Sequence, residues 1–128
     1  MKPGEIRLKK WDKDLGRYVE VTRKGKVYDL DGRNVELFPV RVLAEALDRT
    51  SQSIQRWHRE KTLPPPMFKT PGENVNRVYS KWQIINVAHL YVTRYDRKNR
   101  YFDKEKFLSE VRAVWYKTEF LPEVENNS

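Results

Sequence analysis

Leu43-Ala44-Glu45-Ala46-Leu47, Asp48-Arg49, then Thr50-Ser51-Gln52-Ser53-Ile54-Gln55-Arg56-Trp57 is the stretch on which the fold turns. Val40, Leu43, Ala44 and Leu47 recur at helical steps, and Pro39 suits a first helical turn. Asp48-Arg49-Thr50 breaks that pattern. Thr50 reads as an N-cap, because its hydroxyl can accept a backbone N–H from the first turn of a new helix. That helix is predicted from Ser51 to about Glu60, with Ile54 and Trp57 on its buried face. Two short helices across a tight turn leave the second one standing proud of the domain.

Downstream, Leu63 leads into Pro64-Pro65-Pro66, which no helix can continue through. Met67-Phe68-Lys69 and Val75-Asn76-Arg77-Val78-Tyr79 bracket Thr70-Pro71-Gly72-Glu73-Asn74, a hairpin with a polar tip. Ser80 suits the N-cap of a third helix, with Trp82, Ile85, Ala88, His89 and Val92 at helical steps. A charged connector, Tyr95 to Arg100, precedes a last helix capped by Asp103. Its apolar stripe is Phe107, Leu108, Val111, Val114 and Trp115, which either closes the core or forms a dimer interface. Upstream the pattern is β. Ile6 to Trp11 and Tyr18 to Val21 flank a turn-like Asp12 to Gly16. Lys26 to Leu30 and Asn34 to Leu37 flank Asp31-Gly32, a strong hairpin signal. The fold class is therefore α+β. It divides into an N-terminal β segment (1–36), a helical unit with its hairpin (37–95), a connector and amphipathic helix (96–121) and a polar tail (122–128).

Composition narrows the function. The 128 residues contain no Cys, so a disulfide framework, a thiolate metal site and a thiol nucleophile are excluded. No run approaches a membrane span and no signal-peptide core follows Met1, so a cytoplasmic setting is expected. The formal net charge of +8 is uneven. Residues 1–36 carry 10 basic and 7 acidic side chains, residues 37–100 carry 12 and 5, and residues 101–128 carry 4 and 6. The excess thus lies on the helical middle, which points at nucleic acid.

On the second helix, Ile54 and Trp57 turn inward and leave Gln52, Gln55, Arg56 and Arg59 outward, with Ser51 and Ser53 near its start. Gln pairs bidentately with adenine, Arg with guanine or phosphate, and small hydroxyls bond phosphate oxygens. Lys69 and Arg77 flank the hairpin tip, where they would touch DNA backbone or minor groove.

These residues resemble a known family. Leu43 to Leu47, Thr50 to Trp57, Leu63-Pro64-Pro65-Pro66 and Arg77-Val78-Tyr79-Ser80 are similar, in that order, to the MerR-type winged helix-turn-helix and its phage and plasmid excisionase branch. The resemblance covers about residues 37–95. It implies sequence-specific binding of double-stranded DNA, with the recognition helix in the major groove and the wing on the backbone. Ser53 and Arg56 match the family's contact positions, Arg77 matches the wing arginine, and Ala44 is the small residue that lets the two helices approach. The sensor members' long dimerisation helix and Cys-bearing effector domain have no counterpart, so no small-molecule effector and no cofactor are expected. The N-terminal β segment lies outside the family's pattern.

A transcriptional regulator or excisionase-like architectural factor of phage or mobile-element type is the leading expectation, alone or as a homodimer or cooperative assembly. A DNA-packaging (small-terminase-like) or assembly adapter and a protein-binding module are the alternatives. No carboxylate pair, nucleophile–base set or Gly-rich phosphate loop has the spacing an enzyme needs. His58 and His89 lack ligand spacing, so no metal site is expected. Lys9, Lys10, Lys24 and Lys26 read as a solvated strand edge or a second backbone contact, and Trp11 as core or partner contact.

Overall fold

A computed structural model describes residues 3–66, 68–69, 77–94 and 103–121. Two β-hairpins open the chain. In the first, β1 (Glu5–Asp12) pairs antiparallel with β2 (Arg17–Lys24), from Glu5↔Lys24 to Asp12↔Arg17. Alternation sends Ile6 and Leu8 to the buried face, and the Asp12 carboxylate accepts the turn N–H groups of Asp14 and Leu15. In the second, β3 (Lys26–Leu30) pairs with β4 (Arg33–Pro39) across Asp31 and Gly32, whose φ values are 54° and 82°. Both turn residues thus take the positive φ that Asp-Gly predicts.

The strand β4 then joins β6 (Arg77–Ser80), and β6 joins β5 (Phe68–Lys69), giving a sheet ordered β3-β4-β6-β5. The tip expected over Thr70 to Asn74 lies outside the described residues, as do Met67, Val75 and Asn76. The two hairpins meet at Gly25. A Cβ there would collide with the Leu37 carbonyl and come within 2.6 Å of the Phe38 ring, so only glycine permits this approach.

Four helices complete the described fold: α1 (Val40–Ala46), α2 (Ser51–Arg59), α3 (Lys81–Arg94) and α4 (Lys104–Val114). Three of their starts follow the sequence, whereas Pro39, expected in a first helical turn, is the extended last residue of β4 and flanks α1 as its N-cap. Thr50 Oγ1 accepts the Ser53 N–H at 3.1 Å, and the Asp103 carboxylate accepts the Lys106 N–H at 3.1 Å. Ser80 and Gln83 form a reciprocal capping box at the start of α3, each side chain accepting the other's N–H.

One core joins the hairpin β1–β2 to all four helices. It contains Ile6 and Leu8, Phe38, Leu43 and Leu47, Ile54 and Trp57, Ile84 and Val87, and Phe107, Val111 and Trp115. The boundary expected after residue 36 falls inside β4. Phe107, Val111 and Trp115 of the α4 stripe close this core, while Leu108 is only half-buried. Phe107 meets Trp57 edge-on at 5.6 Å, Trp115 meets Tyr79 at 6.0 Å, and Trp115 Nε1–H donates to the Pro65 carbonyl.

The buried face of α3 does not follow the apolar helical steps. Gln83, Ile84, Asn86, Val87 and Tyr91 are buried, whereas Trp82, Ile85, Ala88 and His89 are half-buried; the Val92 side chain lies outside the described residues. The cause is polar. Gln83 donates to the Trp115 carbonyl, while Asn86 donates to the Glu119 carbonyl and accepts the Leu121 N–H. Buried amides are stable where hydrogen-bonded, and these tie down the segment after α4. Trp82 packs with Phe68 against a small second cluster of Val35, Leu37 and Val78. No helix among the described residues is long and apolar enough to cross a membrane.

Candidate nucleic-acid interface

The expected contact residues sit on α2 and on the β5–β6 pair. The turn before α2 is tight because Asp48 adopts φ 54°. That bend lets the Asp48 and Arg49 N–H groups bond back to the Glu45 and Ala44 carbonyls. Ala44 is buried in the core, at 2% exposure. Ile54 and Trp57 anchor α2 in the core, and the Arg49 guanidinium lies 4.3 Å over the Trp57 ring.

This anchoring fixes which side chains face water. Gln52, Gln55, Arg56 and Arg59 are exposed together, as expected. Ser51 and Ser53 are half-buried at the helix start, and the Ser53 hydroxyl already accepts from Thr50 at 3.1 Å. Arg56 stands 4.0 Å from Glu60 one turn on, and Lys104 reaches the same carboxylate at 3.8 Å. Exposed pairs of this kind hold little energy, so Arg56 keeps guanidinium N–H groups for another partner.

Lys69 and Arg77 are opposite each other in the β5–β6 register, and Arg77 is exposed. The strand β6 is bound to α2 through His58, whose Nε2 is 2.7 Å from the Tyr79 hydroxyl, with the rings stacked. Burial lowers the His58 pKa to about 4, and the nearby Arg77 charge acts in the same direction against a weaker pull from Pro64. Burial raises Tyr79 above its usual range. Both groups therefore stay neutral near pH 7. No cluster of His, Cys, Asp or Glu that could hold a metal ion is found among the described residues.

At the other end of α2 stands a group that sequence reasoning did not assemble. Glu45 of α1 receives Arg23 of β2 through two guanidinium N–H bonds, both 2.6 Å, and Lys10 of β1 at 3.2 Å. Hydrogen bonding from Arg23 holds the Glu45 carboxyl below the usual carboxylate range, against the effect of burial. One signal was present: Arg23 occupies the inward phase of β2, alternating with Val19 and Val21. The lysines expected to form one edge thus divide, with Lys10 ion-paired. Trp11 and Tyr18 form a cross-strand edge-to-face pair at 5.1 Å, Trp11 half-buried and Tyr18 exposed.

No family model, curated protein or solved structure matches the chain.

Proposed function

We propose that the chain binds double-stranded DNA sequence-specifically as a winged helix-turn-helix of MerR-like, excisionase-related type. In this reading α2 is the recognition helix and β5–β6 the wing. The observation that carries it is the face of α2: two buried anchors, Ile54 and Trp57, and four exposed hydrogen-bonding side chains on the opposite side. At 1.5 Å per residue the helix is about 13 Å long, enough to present its first turns in a major groove about 12 Å wide.

Gln52 and Gln55 read adenine edges, Arg56 and Arg59 take guanine or phosphate, and Ser51 and Ser53 bond the backbone. Lys69 and Arg77 contact the backbone flanking the groove. The role is transcriptional regulation or excision-type DNA architecture in a phage or mobile element, inside the bacterial cell. Binding, with no chemical step, is the activity. A pair of copies or a cooperative array would extend the footprint.

The test is selection of a duplex from random sequence, then titration of wild type and Arg56→Ala at two salt concentrations. Wild-type affinity should fall steeply with salt. Arg56→Ala should weaken the selected site by about 1–3 kcal/mol with folding intact. Salt-independent binding, or an Arg56→Ala variant that binds like wild type, would overturn the assignment.

A further inference from the structure

Between the β1–β2 hairpin and the α1–α2 turn lies an open cleft of about 490 Å³. Its walls carry five cations, Lys10, Arg23, Lys24, Arg41 and Arg49, against two carboxylates, Glu45 and Asp48. Three elements and the turn contribute them, so the charge comes from the tertiary fold and not from a run in the chain. Glu45 neutralises only part of the pair it holds, and the bidentate bond sets Arg23 in one orientation on the cleft wall. Lys24 and Arg41 are exposed, and neither has a carboxylate partner among the described residues.

The ligand class follows from the lining. The surplus positive charge attracts an anion. Among the described residues no aromatic side chain lines this cleft; Trp11, Tyr18 and Tyr91 line a separate neighbouring one that shares Asp48, Arg49 and Thr50. Lys and Arg donors without an aromatic platform suit the phosphate oxygens of a nucleic-acid backbone. The cleft also reaches Thr50 and Ser51, at the start of the helix that carries Gln52 and Arg56. A strand of duplex running past that end of α2 brings its phosphates to the cleft mouth.

We infer that the β1–β2 hairpin is a backbone clamp: its cleft with the α1–α2 turn receives phosphodiester oxygens of the same duplex that α2 contacts. This rests on the DNA-binding reading above. The hairpin then grips the backbone at the N-terminal end of α2, while β5–β6 grips it beyond the C-terminal end, where His58 ties β6 to the helix. The two backbone contacts fix register, and α2 between them supplies base contacts.

The double variant Lys24→Gln/Arg41→Gln tests the clamp, since both side chains are exposed, neither is ion-paired among the described residues, and the fold should survive their neutralisation. The full chain is titrated with a labelled random-sequence duplex of about 30 bp, roughly three helical turns, over a salt series. Losing two phosphate contacts should lower the slope of log affinity against log salt by about 2. The ranking of single-base changes in a selected site should not move, whereas Arg56→Ala should alter it. The charge-matched control Arg112→Gln/Lys117→Gln, on and after α4, should leave the slope as in wild type. An unchanged slope in the cleft variant, or an equal fall in the control, overturns the clamp and leaves the α2 reading standing. If wild type fails to bind duplex at low salt, both fall together.

Discussion

At the scale of single residues, one contact often decides a local structure. Thr50 is exposed, yet its hydroxyl holds the first turn of α2. Thr50→Ala should cost about 0.5–2 kcal/mol, read as a lowered midpoint in denaturant melts. His58 gives a pH signature. The unfolded ring binds a proton near its ordinary value of 6.5, whereas the folded ring does so only near 4. Its contribution is therefore whole above about 6.5 and declines as pH falls to about 4, because the unfolded chain binds the extra proton. His58 is only half-buried, so the loss is on the order of 1–2 kcal/mol. Melts across that window should show the decline, and His58→Gln should flatten it. Glu45, lowered mainly by the Arg23 hydrogen bond, acts in the same sense: its contribution is present above its ordinary 4.5 and is lost below.

At the scale of elements, the hairpins and three of the helix starts were legible in the sequence because their causes are local. Asp31-Gly32, Thr50 and Asp103 each act within a few residues of themselves, so reading the neighbours is enough. The apolar step in α2 likewise names Ile54 and Trp57 correctly. The phase of α3 is not legible from apolar spacing because its buried face is partly polar. Gln83 and Asn86 are inside to meet backbone groups more than 30 residues away, a pairing that hydropathy cannot express. Asn86→Ala should therefore release the segment around Glu119 and Leu121 and cost about 1–3 kcal/mol. Faster amide hydrogen exchange at Leu121, with α2 protection little changed, is the expected result.

At the scale of the whole molecule, the N-terminal hairpin shares its core with the helices. Ile6 and Leu8 contact that core, and Glu45 bolts Arg23 and Lys10 to α1. Ile6→Ala should cost about 2–5 kcal/mol. Far-ultraviolet dichroism and Trp fluorescence should still report one coincident transition. An early, separate loss of the hairpin would show that the two parts fold apart.

The amino-acid sequence by itself determined the α+β class, the hairpin turns, the caps and the outward set Gln52, Gln55, Arg56 and Arg59, since propensity and periodicity act over a few residues. Tertiary structure alone decided the phase of α3, the burial of the α4 stripe and the gathering of Lys10, Arg23, Lys24, Arg41 and Arg49 in one cleft. Those depend on long-range pairings, in which residues far apart in the chain satisfy each other's charge and hydrogen bonds.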